Sequence, residues 1–565
     1  MGFSRIYTKV FSFQISNLMI YWADHLHACL FHSNWISALP CLVFKSEDPN
    51  GPMYYKGMYH LFYQHNPSSP LFGDIMIWAH SVSRDLVNWA HLKPALCPSD
   101  SYDINSCWSG SATILPSGKP VILYTGIDSK KHQVTNLVEP KDDSDPLLQE
   151  WVKSEKNPVM VPPSDVEVDC FRDPTTAWQG LDGKWRVLVG AKTRDSSRGV
   201  ALLYHSDDFV RWTKFPNPLF GSEVTGMWEC VDFFPVSING TIGVETSVNS
   251  ECVRHVLKAS YGGHDCYVVG SYDPETEKFL ADSDFSGSVS DLRLDYGTYY
   301  ASKTFFDNAK NRRISWGWVY ELDSKEDAIE KGWSGLMSLP REIWLDESGK
   351  RLVQRPVEEL KNLRANRVCL HRKKLEGGSV LEVSGITASQ ADIEVVFELP
   401  DLEDDEEEVE FLDSDQSDPQ ELCKASVQGV YGPFGLLTLA SKDMSEQTAI
   451  FFRVFRCHEG YSILMSSDHS KSSLTTNVDK SSHGTFLDMD PKHGKISLRC
   501  LIDHSIIESY GGGGRSVMTS RVYPKLAIGE EVYLHVFNNG TKTVTLSSLE
   551  AWSMTKAHFN SNDIQ

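Results

Sequence analysis

The chain has 565 residues, 41% hydrophobic and 23% charged, a globular composition that excludes a disordered, collagenous or membrane-embedded polypeptide. At 63.6 kDa it can bury a large core and is expected to divide into two domains. Its 54 Lys and Arg against 76 Asp and Glu give a net charge of −22, which argues against nucleic acid as a partner.

Residues 1–47 read as an atypical leader. Arg5 and Lys9 precede the moderately apolar stretch Val10 to Trp22, which Ser12, Gln14, Ser16 and Asn17 interrupt before any small-residue cleavage site. The stretch falls short of the roughly 18–20 apolar residues that a membrane span needs, so no stable membrane insertion is expected.

From residue 48 to 355 short aromatic and β-branched runs alternate with Gly, Pro, Asp and Ser, as in Gly57–Tyr63, Pro120–Thr125, Lys184–Val189 and Gly199–Tyr204. The pattern predicts an all-β domain. Ser83-Arg-Asp85-Leu-Val-Asn-Trp89 and Ser206-Asp-Asp208-Phe-Val-Arg-Trp212 repeat one form 123 residues apart, about two propeller blades of roughly 40–60 residues each. Val357, Leu360 and Leu363 carry helical spacing, so residues 356–370 are predicted to form a linker helix. Beyond it, residues 371–557 hold further short strands that suit a β-sandwich. The acidic run Asp401 to Glu410 reads as a solvated loop, and Gly511 to Gly514 as a hairpin turn, since it lacks the Gly-Lys-Ser/Thr ending of a phosphate loop.

Twelve cysteines include no Cys-x-x-Cys pair, so no zinc site is supported, and no metal or cofactor is expected. Asn239-Gly-Thr241 and Asn539-Gly-Thr541 are glycosylation sequons.

Three acids stand in distinctive settings: Asp48 before Pro49-Asn50-Gly51, Asp173 between Arg172 and Pro174, and Glu229 between Trp228 and Cys230. They lie on different predicted blades, and a propeller brings its innermost strands together at one axis. Glycoside hydrolysis needs such a set, one carboxylate against the sugar cation and one acid to protonate the leaving oxygen. Trp108-Ser109-Gly110 is the nearest candidate for stacking on a sugar.

The motifs Asp48-Pro-Asn-Gly51, Trp108-Ser-Gly-Ser-Ala-Thr113, Phe171-Arg-Asp-Pro174, Met227-Trp-Glu-Cys230 and Lys331-Gly-Trp-Ser-Gly335 closely resemble plant members of glycoside hydrolase family 32. That family includes cell-wall-type acid invertases and fructan exohydrolases. The resemblance implies a five-bladed β-propeller followed by a C-terminal β-sandwich, with Asp48 as nucleophile, Glu229 as general acid/base and Asp173 as transition-state stabiliser. It further implies a fructosyl subsite lined by Gln64, Trp108, Ser109 and Arg172, with Asn50 and Phe72 as further substrate-binding residues, and a free thiol at Cys230. A retaining mechanism sets nucleophile and acid roughly 5 Å apart, so ionised Asp48 is expected to keep Glu229 protonated, while Arg172 keeps Asp173 ionised.

The chain departs from the family pattern in places. Lys45-Ser46-Glu47 stand where the family has Trp-Met/Ile-Asn before the nucleophile, which points to an artefactual or divergent leader. Cys423 matches a family cysteine whose partner position is Ser466, so the implied disulfide is absent or uses Cys457.

Phe72-Gly-Asp-Ile75, in place of Trp-Gly-Asn-Ile, and the shortened Ser260 to Asp265 loop, without the Asp and Lys that orient glucose in invertases, lean toward a fructan exohydrolase. Sucrose hydrolysis is the alternative, followed by an inactive sugar-binding relative or a fructosyltransferase. The resemblance also implies a secreted protein of the apoplast or cell wall, with the vacuole as alternative, acting as a monomer.

Overall fold

The computed structural model describes residues 46–559, apart from 74, 289, 401, 403–407, 414–416, 459 and 490–493. The leader through residue 45, the side chains of Ser46 and Glu47, and most of the Asp401–Glu410 run lie outside the described residues.

Five antiparallel sheets follow one another in sequence: blade I (46–91), II (106–153), III (166–222), IV (229–281) and V (299–356). Strands such as Met58–His65 and Pro120–Ile127 are buried at every position, because neighbouring blades cover both faces. The innermost strand of blade I, Ser46–Tyr55, packs against both Ser106–Ile114 of blade II and Tyr299–Asp307 of blade V, which closes the ring. A sandwich of two six-stranded sheets follows. The all-β propeller and sandwich expected from the sequence are both present.

The Ser-x-Asp repeat occupies equivalent corners of blades I and III. In each, the Asp carboxylate caps two backbone N–H groups (Val87 and Asn88; Val210 and Arg211), and the Trp indole donates 3.1 Å to a carbonyl three residues back. Leu86 and Phe209 adopt nearly identical left-handed conformations, φ 64° and 63°. The repeat is therefore a folded unit that turns the chain into the outermost strand.

The linker differs from expectation. Glu358–Leu363 form a short 3-10 helix of six residues, and Arg364–Leu375 is already strand, paired antiparallel with Val544–Met554. Val357, Leu360 and Leu363 recur every three residues, which fits three residues per turn and buries all three against blades I and V. Arg312 clamps Glu359 at 2.5 Å and holds the turn to blade V.

Propeller and sandwich meet on a buried ionic clamp. Arg341, fully buried, reaches Asp295 of the propeller at 2.9 Å and Glu508 of the sandwich at 2.7 Å. Beside it, Tyr296 and Thr298 donate backbone N–H groups to Val517 and Thr519 of the sandwich. Gly511–Gly514 turns the hairpin Ile506–Gly511/Ser516–Arg521, as expected. Cys423 is a free buried thiol 3.2 Å from Ser466 Oγ, and Cys457 is also free and does not replace the missing partner.

Arg341→Ala strands two buried carboxylates and is expected to lower stability by about 3–5 kcal/mol. Urea unfolding measures it, and a loss under about 1 kcal/mol refutes the clamp.

Candidate active site

The innermost strands do not run regularly into the axis. Their pairing shifts register between Ser46 and Pro49, Trp108 and Gly110, Glu229 and Asp232, and Tyr300 and Lys303. Such bulges bend a strand and re-aim one side chain. Asp173 (φ 63°), Cys230 (φ 44°) and Ala301 (φ 54°) take left-handed backbone here, a conformation that side chains other than Gly rarely adopt. At Gly110 the neighbouring strand comes so close that a Cβ would lie 2.0 Å from the Leu123 carbonyl, which lets Ser109 approach the axis.

The bulges bring the three acids into one network. Asp48 Oδ2 accepts from Gln64 Nε2 (3.1 Å) and Ser109 Oγ (2.9 Å), and Cys230 Sγ lies 3.9 Å away. The Cys230 N–H donates to Asp173 Oδ2 at 2.7 Å, so residue 230 touches both aspartates and directly follows Glu229. Arg172 Nη2 donates to Glu229 Oε1 at 2.6 Å, and its Nε lies 3.9 Å from Asp173. Thr125 links two of these elements, donating to the Ser109 carbonyl at 3.0 Å and accepting from Asp173 N–H at 2.9 Å.

Of the residues expected to line a subsite, Gln64, Ser109, Trp108 and Arg172 gather around the acids. Trp108 stands between Arg172, 5.9 Å from its ring, and the half-exposed Phe72, whose ring centroid lies 6.0 Å away. Together they make an aromatic and cationic wall. Asn50 is placed differently: it is fully buried, and its side-chain carbonyl accepts from Gly110 N–H at 3.3 Å, tying blade I to blade II beneath the site. The two sequons differ in setting. Asn239 is exposed on a blade IV loop, whereas Asn539 is partly buried and donates to the Ala425 carbonyl at 2.9 Å.

Sequence reasoning missed two residues of blade V. Tyr300 OH donates to Glu229 Oε2 at 2.6 Å, so both oxygens of Glu229 are held. Lys303 is buried, donates to the Val231 carbonyl at 3.0 Å and is close enough to pull on Asp173. Neither stands beside a Pro, Gly or acid that would flag it; only the convergence of blade V on the axis reveals them. The Ser260 to Asp265 segment is a hairpin closed by Gly262 and Gly263 (φ 58° and 80°), the two-residue turn that positive φ at both positions permits. Its tip carries no side chain.

Burial, with the nearby charge of Asp173, pushes the Asp48 carboxyl up to about 7. This runs against the expectation that Asp48 is ionised. Burial is also the larger influence on Asp173, which is raised despite the opposing pull of Arg172 and Lys303. Burial and the two aspartates hold the Cys230 thiol well above its ordinary range, so it stays a neutral thiol. Among the described residues, Glu167, Asp169 and Cys170 could bring ligand atoms together for a metal, but the group is half exposed and Lys192 pairs with Glu167 at 3.1 Å.

Residues 45–356 match the model of the glycosyl hydrolases family 32 N-terminal domain, and residues 359–553 that of the family 32 C-terminal domain. The chain belongs to glycosyl hydrolase family 32. It is 65% identical over 520 residues to the β-fructofuranosidase insoluble isoenzyme CWINV6 of Arabidopsis thaliana, covering 91% of this chain and 94% of that one. It is 51% identical to the fructan 6-exohydrolase of Beta vulgaris, over 91% of this chain and 85% of that one. The crystal structure of fructan 1-exohydrolase IIa from Cichorium intybus superposes with a TM-score of 0.90 at 54% identity, over 93% and 97% of the two chains. The protein is a glycoside hydrolase of the β-fructofuranosidase class.

Asp48 binds its proton more tightly folded than unfolded, so between about pH 4 and 7 the native state holds more protons and stability falls as pH rises. Asp48→Asn removes that loss. Its melting temperature is expected to exceed that of the parent by about 2 °C or more at pH 7 and to converge with it near pH 4. An equal difference at both pH values contradicts the shift.

Proposed function

We propose that this enzyme releases terminal non-reducing β-D-fructofuranosyl residues with retention of configuration, with fructan-type oligosaccharides as preferred substrates. One observation carries the mechanism: Asp48, Asp173 and Glu229 share one network, in which Cys230, the residue after Glu229, lies 3.9 Å from Asp48 and the Glu229 charge acts on Asp48.

Gln64, Ser109 and Cys230 meet Asp48 on Oδ2 and orient the carboxylate that attacks C2 of the fructosyl unit. Glu229 gives its proton to the departing oxygen, and then accepts one from the water that opens the fructosyl-enzyme ester. Asp173, fixed by Cys230 N–H, accepts hydrogen bonds from fructose hydroxyls that strengthen as positive charge develops on the sugar. Burial favours the protonated form of Asp48, so attack requires that carboxyl to give up its proton.

The preference for fructan rests on Phe72 and the bare Gly262-Gly263 tip, which offers no ionic pair to glucose. The structural likeness to fructan 1-exohydrolase IIa supports it. The second reading, sucrose hydrolysis, is favoured by the series of β-fructofuranosidase relatives named insoluble or cell-wall isoenzymes. The same names favour the cell wall as the place of action, and exposed Asn239 is the better placed of the two sequons to carry a glycan.

Asp48→Ala and Glu229→Ala are each expected to reduce fructose release by at least about a thousandfold, with azide partly rescuing Glu229→Ala. Full activity in either variant removes its assignment. The specificity constant for 1-kestose is expected to exceed that for sucrose by roughly a hundredfold, because the site leaves glucose hydroxyls unsatisfied. Faster cleavage of sucrose than of any fructan leaves the invertase reading standing.

A further inference from the structure

Asp265 is fully buried beneath the blade IV hairpin, and no step above uses it. Its Oδ1 accepts from Ser260 Oγ at 2.5 Å and from Ala301 N–H at 3.1 Å, and its Oδ2 accepts from Ser302 N–H at 2.8 Å. Lys258, also buried, lies 3.7 Å away and donates to the Cys230 and Ser302 carbonyls at 2.5 and 2.6 Å. Ala301 and Ser302 form the bulge of the blade V inner strand, Ala301 in left-handed backbone, immediately after the tyrosine that holds Glu229 Oε2. An alanine keeps positive φ only where its surroundings over-determine it. Two N–H groups fixed on one buried carboxylate do so here.

We infer that Asp265 is a positioning residue: by anchoring the Ala301–Ser302 bulge it aims the Tyr300 hydroxyl at Glu229 and so sets the pH range in which Glu229 can act as an acid. The inference rests on the reading of Glu229 as the acid/base. Ser260, the register partner of Glu229 across blade IV, closes the loop of contacts, since it donates to Asp265. Among the described residues, the charged and titratable groups around Glu229 are Arg172 and Tyr300 in direct contact, Cys230 next in the chain, Asp48 and Asp173 on blades I and III, and Lys258, Asp265 and Lys303 on blades IV and V. Of these, Tyr300 is the neutral donor on Glu229, and a donor to a carboxylate favours its ionised form. Losing it keeps the proton on Glu229 to higher pH.

The test is the pH dependence of kcat/KM for 1-kestose in the full-length enzyme. Tyr300→Phe is expected to move the alkaline limb up by about one pH unit, the scale of one charge-assisted hydrogen bond. Asp265→Asn should move the limb in the same direction. In the Tyr300→Phe background, Asp265→Asn should add less than about 0.2 unit, because both act through one hydroxyl. Ala301→Gly, which reaches positive φ without an anchor, should restore at least about half of the Asp265→Asn shift. Should Asp265→Asn fail to fold, Ser260→Ala replaces it, with a smaller shift that vanishes in the Tyr300→Phe background. Additive shifts, or an unmoved limb in both the Asp265→Asn and Ser260→Ala variants while Tyr300→Phe moves it, overturn the role of Asp265. An unmoved limb in Tyr300→Phe overturns the acid/base reading itself.

Discussion

Three carboxylates drawn into one pocket repel each other and lose hydration, and the site depends on how that penalty is offset. Arg172 is the central counter-charge. It pairs with Glu229, lies beside Asp173, and is itself steadied by Gln133 Oε1 at 3.0 Å and by the Trp108 ring. Lys303 adds a buried positive charge from blade V, and the Cys230 N–H supplies a fixed dipole to Asp173. This compensation is incomplete around Asp48, whose side-chain contacts among the described residues are with the neutral Gln64, Ser109 and Cys230. Burial accordingly pushes the Asp48 carboxyl toward its protonated form.

Delivery of those groups is a matter of backbone. Regular pleating would turn alternate side chains away from the axis, so residues in adjacent positions could not both face it. The bulges at Asp48, Ser109, Cys230 and Ala301 break that alternation where it is needed and restore it a few residues later. Left-handed backbone at Asp173, Cys230 and Ala301 is strain of the kind that functional sites store. Thr125 holds it at the Asp173 N–H, and Asp265 holds it at the Ala301 and Ser302 N–H groups. The outer strands and the sandwich give these contacts a rigid frame, and the Arg341 clamp fixes the frame across the domain boundary.

Local patterns in the chain were enough for much of this. Runs such as Met58–His65, bounded by turn residues, marked strands because β-branched and aromatic side chains suit a pleated, buried surface. The repeated Ser-x-Asp corner marked two blades because the turn is built from its own side chain and backbone, within seven residues. Asp48, Asp173 and Glu229 were legible as a set through their family motifs, and Gln64, Trp108, Ser109 and Arg172 with them. The linker was misjudged by a few residues because a spacing of three serves a 3-10 turn as well as the edge of a helix.

What the sequence by itself determined is the class: an all-β family 32 glycoside hydrolase with its acids named, since these follow from short-range pattern and motif. Tertiary structure alone decided that the Asp48 carboxyl is pushed up, because that depends on burial and on charges that arrive from other blades. It alone sent Asn50 into the interior and brought Tyr300 and Lys303 to the site, because closing the ring places residues from separate blades a few ångströms apart. It also gave Asp265 its place, by pairing Ser260 with Glu229 across one sheet and passing Ala301 and Ser302 over its carboxylate from the next.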